Sequence, residues 1–166
     1  NEFVKPDRDC YYETRVRFPS AGGAGTSKAA HALIGLRASP GTAAMDANAD
    51  NQADDIVAFE IDADDGVTQL NFICCKDGEA NETKLSNIAK IDTTANSGKG
   101  VSDFVRLGFS FRDSEVTVWV DGENVGTVTS NIPDDEEMGP IFAIASHGGT
   151  IQAELCIDYI MISQPR

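Results

Sequence analysis

Polar and apolar residues alternate along much of this chain with a period of two. Tyr11 to Phe18 places Tyr12, Thr14, Val16 and Phe18 on one face and Glu13, Arg15 and Arg17 on the other. Val105 to Arg112 repeats the pattern, with Val105, Leu107, Phe109 and Phe111 facing in and Arg106, Ser110 and Arg112 facing out. Glu115 to Val120 sets Val116, Val118 and Val120 against Glu115, Thr117 and Trp119. Successive side chains of an extended strand point to opposite faces, so each segment predicts a strand with one buried side. Asp113-Ser114 is a tight connection between the second and third of these strands. Asp121-Gly122 is a strong hairpin signal that leads into a further strand over Asn124 to Thr129. Weaker strand patterns cover Ala32 to Ser39, Ile56 to Asp62, Thr68 to Cys75, Leu85 to Ile91 and Ile141 to Ser146, and helical periodicity is almost absent.

Leu155 to Ile162 is apolar almost throughout, broken only by Asp158. Apolar residues on both faces predict a strand covered on both sides, hence one at the centre of a sheet. About ten short strands separated by turn signals predict an all-β sandwich or jelly roll, with no internal repeat and no second domain. Three stretches leave the strand pattern: Gly/Ala-rich Ser20 to Lys28, Asp/Asn/Ala-rich Met45 to Asp55, and polar Lys76 to Thr83. The third holds Asn81-Glu82-Thr83, a glycosylation sequon that matters only for a secreted chain.

Composition narrows the class. A length of 166 residues, 41% hydrophobic and 24% charged, predicts one globular domain rather than a disordered chain or a coiled coil. Residues 1–9 are read as an N-terminal arm and 10–166 as a single domain. Twenty-seven acidic against thirteen basic side chains give a formal charge of −14, which repels phosphate backbones and anionic lipid. Neither nucleic acid nor membrane is therefore an expected partner. No apolar run approaches the roughly 20 residues of a membrane helix, and none resembles the core of a signal peptide. A first residue of Asn1 rather than Met leads us to expect a piece of chain upstream.

The four cysteines show no C-x-x-C spacing, and adjacent Cys74 and Cys75 point to opposite faces of a strand. If the terminal strands pair, Cys10 and Cys156 could approach bonding distance; the preferred reading is four buried or half-buried thiols in a reducing compartment. Asp46, Asn48 and Asp50, followed by Asp54, place oxygen ligands at the alternate positions that open a calcium loop. An EF-hand does not result, because its sixth position is Asn51 rather than Gly and its twelfth is Val57 rather than Glu. The stretch has two readings, a single calcium site without other cofactor, or a solvated acidic loop. His31 and His147 stand in no metal or triad spacing. Ser146 and His147 are neighbours that point apart on a strand, so they make a poor nucleophile and base. Gly22-Gly23-Ala24-Gly25 lacks the Lys-Ser/Thr of a phosphate loop. Trp119 is either exposed for binding or covered by a second sheet.

The blocks Phe104-Val105-Arg106-Leu107-Gly108-Phe109 and Val116-Thr117-Val118-Trp119-Val120-Asp121-Gly122-Glu123-Asn124-Val125 resemble the concanavalin A-like (laminin-G/glucanase) jelly-roll superfamily. Tyr11 to Phe18 looks like its first long strand and Leu155 to Ile162 like its last, which lies beside the first. The resemblance implies a jelly-roll sandwich of two antiparallel sheets, a fold that hosts lectins, glucanases and structural domains alike. Laminarinase-type members carry Glu-x-Asp-x-Glu or Glu-x-Asp-x-x-Glu on a strand as nucleophile, orienting Asp and acid/base. Here Glu60, Asp62 and Asp64 share a face, but Asp64 replaces the second Glu and runs into the turn Asp64-Asp65-Gly66. That shorter carboxylate retracts from the bond to be cleaved, and with 7% aromatics the chain is poor in sugar-stacking platforms, so no catalytic residues are assigned.

Short domains of this kind without lectin motifs are frequent in tailed-phage virion proteins. The resemblance therefore implies a non-enzymatic virion structural protein on the particle exterior, a capsid decoration, head-fibre or tail-fibre domain. It would adhere to a major capsid or other virion protein, to its own copies as a homo-oligomer (a trimer among the forms considered), or to a host-surface glycan. A lectin-like carbohydrate-binding module is the alternative, and a laminarinase-type endoglucanase the third. The segments expected to supply an assembly patch are the arm with Phe3 and Val4, the loop Ser20 to Ala30, and Ile132-Pro133 with Met138.

Overall fold

A computed structural model describes residues 4–5, 8–18, 30–38, 55–62, 69–78, 82–91, 103–146 and 154–165. Its ten strands are β1 (Cys10–Arg17), β2 (Ala30–Ala38), β3 (Ile56–Ile61), β4 (Gln69–Cys75), β5 (Glu82–Lys90), β6 (Val105–Arg112), β7 (Glu115–Val120), β8 (Glu123–Val128), β9 (Met138–Ser146) and β10 (Cys156–Ser163). Two five-stranded sheets result, sheet I in the order β10-β1-β6-β7-β8 and sheet II in the order β5-β4-β3-β2-β9. Every pairing is antiparallel. No helix among the described residues is long and apolar enough to cross a membrane.

The period-two segments behave as their pattern predicts. Tyr12, Thr14, Val16 and Phe18, Val105, Leu107, Phe109 and Phe111, and Val116, Val118 and Val120 are all buried. Asp113 and Ser114 (φ 52° and 62°) and Asp121 and Gly122 (φ 53° and 87°) turn the chain in the left-handed region, whose twist matches that of the flanking strands. An aromatic seam joins the sheets. Tyr12 stacks on Phe109 at 4.7 Å in sheet I, and Phe109 lies 5.4 Å from Phe72 of sheet II.

At one edge β8 and β5 close the sandwich, with Leu85 against Gly126 so tightly that a side chain on the glycine would collide. At the other edge lies β10. This corrects the expectation that the apolar last strand is central: β10 pairs with β1, as expected, but has no second neighbour among the described strands. By register Ile157 and Ile160 share the inner face with Val16 and Thr14, while Tyr159 and Met161 share the outer face with Arg15 and Glu13. All four are exposed, at 44%, 42%, 36% and 43% respectively. An apolar run shows that a strand avoids water, not that its own chain supplies the cover.

The remaining strand predictions shift by a few residues; Glu82 and Thr83, read as loop, open β5. Antiparallel register puts Cys156 opposite Arg17 and Ser163 opposite Tyr11, so Cys10 and Cys156 lie at opposite ends of the ladder. None of the four cysteines forms a disulfide; Cys10, Cys74 and Cys75 are buried and Cys156 is half-buried. Trp119 sits half-buried on the outer face of sheet I, its ring 6.2 Å from that of Tyr11. The arm packs on its own sandwich at Val4, which is fully buried and exchanges backbone hydrogen bonds with Met138. Met138 and Pro133 are buried too, so these three do not form the expected assembly patch.

Candidate functional site

Strands β3 and β4 are neighbours inside sheet II whose apolar residues face both ways. Val57, Phe59, Ile61, Leu70, Phe72 and Cys74 enter the main core. Leu33, Ile56, Ala58, Ile73, Cys75 and Ile141 form a second buried cluster. Strict alternation places this cluster on the outer face of sheet II. Into the same face point His31 of β2, Glu60 of β3, Asp62 just beyond it, Asn71 of β4 and Lys84 of β5. Register sets Glu60 between Leu33 and Asn71.

The charges on this face meet partners. Lys84 Nζ forms an ion pair with Glu60 Oε2 at 2.8 Å. His31 Nδ1 lies 3.4 Å from Asp62 Oδ1, with the imidazole almost entirely buried. Asn71 is fully buried and its Oδ1 accepts the backbone N–H of Asn87 at 3.0 Å, where β5 bulges past β4. The strand of the glucanase-like motif thus brings Glu60 and Asp62 to one face, as its spacing predicts, and both carboxylates stand against cationic or imidazole neighbours. Asp64 lies outside the described residues, as do Asp46, Asn48, Asp50, Asp54, the glycine loop Gly22 to Gly25 and His147. Sequence reading missed Lys84 and the pairing of His31 with Asp62. Their only signal is that each falls on the outward phase of its strand.

A second polar group occupies the outer face of sheet I. Glu13 accepts hydrogen bonds from the Tyr11 hydroxyl at 2.6 Å and the Tyr159 hydroxyl at 2.5 Å, and Arg106 Nε stands 3.9 Å away. Burial pushes the Glu13 carboxyl up, but the two phenols and the Arg106 charge outweigh it and hold the group below its ordinary value. Burial and the bond to Glu13 together push the Tyr11 phenol up to about 12. Arg15 pairs with Asp158 at 2.9 Å, and the Arg15 and Arg17 guanidinium groups lie over the Phe104 ring at 5.0 and 5.1 Å.

No protein-family model matches this sequence, and no curated protein does. Solved structures are similar. A Bacillus licheniformis β-glucanase superposes with a TM-score of 0.60 at 13% identity, covering 92% of this chain. A family 7 alginate lyase gives 0.53 at 12% over 98%, and the Caenorhabditis elegans galectin LEC-6 gives 0.53 at 15% over 97%. The fold is a concanavalin A-like jelly roll. The chain spans 65% and 63% of the length of the glucanase and lyase structures and 87% of the galectin. At these identities the likeness is one of fold, shared by enzymes and lectins.

Proposed function

We propose that this jelly roll is a non-enzymatic adhesion module, a structural part of a virion exterior, and that the edge strand β10 docks on a second copy of the chain. The observation that carries the reading is the exposure of Ile157, Tyr159, Ile160 and Met161 along one edge. An apolar strip on an open strand edge is a template for pairing. The chain as a whole, at −14, repels its own copies. The strip is nearly free of that charge: its one charged residue, Asp158, is paired with Arg15. Two copies can therefore meet at β10 around a two-fold axis, the same strip on each side. An eight-residue edge buries less than the roughly 800 Å² per partner of a lasting interface, so the contact suits copies held in an array. The engaged carboxylates Glu60 and Asp62 support the non-enzymatic part of the reading, and the virion part rests on the association of short domains of the resembled superfamily with phage particles.

Light scattering over a concentration series, with Ile160→Lys in parallel, tests the docking. The expected result is a dimer fraction that grows with concentration and falls at least tenfold in the variant. A monomer at every concentration in both chains would overturn it. Virion placement is tested by electron microscopy of purified particles, and failure to find the chain on the particle surface would sink it.

A lectin-like reading has one observation in its favour, the convergence of His31, Glu60, Asp62, Asn71 and Lys84 on one face of sheet II. A glycan array decides it: binding that Lys84→Ala removes would support this reading.

A further inference from the structure

Asp55 lies at the entrance to β3 and is 2% exposed. Its Oδ1 accepts the backbone N–H of Asp77 at 2.8 Å. Its Oδ2 is buried and has no hydrogen-bond partner among the described residues. A buried carboxylate oxygen left without a donor costs roughly 1–3 kcal/mol or more, so a native fold tends to supply it with one or with a cation. The surroundings supply further carboxylates. Asp77 follows β4, Asp135 lies in the crossover from β8 to β9, and one carboxylate oxygen each of Asp55, Asp77 and Asp135 falls within 4.8 Å of the others. Burial pushes the Asp55 carboxyl up, and the charges of Asp135 and Asp77 push the same way. The backbone N–H bond from Asp77 and, more weakly, the charge of Lys76 pull against them, and the Lys76 ammonium is paired with Asp134, outside the trio.

We propose that Asp55, Asp77 and Asp135 form a calcium site that pins the β8–β9 crossover to the adjoining ends of β3 and β4. The donors are hard oxygens without nitrogen or sulfur, the set that calcium and magnesium take and that zinc and copper do not prefer. Calcium accepts an irregular shell of six to eight oxygens at about 2.4 Å, which suits carboxylates brought together from three connections, whereas magnesium demands a near-ideal octahedron at about 2.1 Å. Two of the three carboxylates are exposed, so water can complete the shell and the ion has a path in. The trio supplies the charge, and the Oδ2 of its buried member, Asp55, marks a place where a positive partner is wanted. The site differs from the ligands read off the sequence, Asp46, Asn48, Asp50 and Asp54.

The test is calcium titration by calorimetry on chelator-stripped protein, with melting curves in calcium, in magnesium and in chelator. We expect one calcium per chain and, at a hundredfold excess over Kd, a Tm rise of roughly 5–10 °C that magnesium at the same concentration does not produce. Asp77→Asn with Asp135→Asn changes exposed side chains only, so the double variant folds and loses both the heat and the shift. Absence of heat and shift in the parent chain overturns the proposal. So does a shift that survives the double variant, or one that only Asp50→Ala removes, which would move the ion to the loop before Asp55.

Discussion

The Tyr159 hydroxyl donates to Glu13 Oε1 at 2.5 Å, two residues along the ladder that ties the last strand to the first. With Tyr11 on the other oxygen, the carboxylate is shared between β1 and β10 on the outer face of sheet I. These bonds hold β10 in place while leaving its apolar side chains in solvent.

The first prediction concerns pH. Glu13 is held below its ordinary value of 4.5, so it binds a proton less readily folded than unfolded. Its contribution is then fully present above about pH 4.5 and is lost as pH falls through the lower folded value. Glu13→Gln should lower stability at pH 7 by roughly 1.5–3 kcal/mol, the usual worth of hydrogen bonds to a charged group. The gap between variant and parent should narrow below pH 4.5 in denaturant titrations. A gap that stays constant down to pH 3 would mean that packing, not charge, is what the substitution removes.

The second concerns Lys84 and Glu60. Their side chains are 24% and 14% exposed, so removing the ammonium leaves a largely buried carboxylate without its counter-charge. Lys84→Met should cost roughly 1–3 kcal/mol, and adding Glu60→Gln should restore part of it. If the double variant is less stable than Lys84→Met alone, the two residues do not act as a pair.

Much of the fold was legible in the alternation. The meander β6–β7–β8 follows from Leu107, Phe109, Val116 and Val118 on one phase and from two left-handed turns at Asp113-Ser114 and Asp121-Gly122. The same reasoning did not tell a run covered by its own chain from one that lies open. Ile56 to Phe59 and Phe72 to Cys75 are covered on both faces, whereas Ile157 to Met161 carries the same signal and lies open at an edge. Hydropathy reports the wish to leave water, and the partner that satisfies it need not belong to the chain. The trio Asp55, Asp77 and Asp135 was illegible for another reason: its members come from three separate connections, which only the register of β3 on β4 and the crossover bring together.

The third prediction is catalytic inactivity. Glu60 faces Lys84, Asp62 faces His31, and among the described residues their neighbours on that face are Leu33, Ala58 and Ile73 rather than aromatic platforms. We expect no release of reducing sugar from β-1,3/1,4-glucans and no lyase product from alginate. Activity that disappears in Glu60→Gln would overturn both this and the non-enzymatic reading.

The last prediction is at Gly35, in the middle of β2 and opposite Ala58 of β3. Its backbone approaches β3 so closely that a Cβ there would stand 2.6 Å from Ala58 Cα and nearer still to the Val57 carbonyl oxygen. Both obstacles are backbone, which cannot swing aside as a side-chain tip does. The two strands would have to separate, loosening a ladder that runs from Ala32–Ile61 to Arg37–Ile56 and carries Glu60 and the residue before Asp62 on one side. Replacing glycine by alanine in a strand normally gains a few tenths of a kcal/mol or more from reduced freedom of the unfolded chain. Here the clash should reverse the sign, and Gly35→Ala should destabilise by roughly 2–4 kcal/mol, lowering Tm by about 5–15 °C. Gly78→Ala is the control, since its Cβ would meet nothing within 4 Å and only its positive φ of 101° opposes the change. A Gly35→Ala chain as stable as the parent would show that β2 and β3 can part at this point without loss.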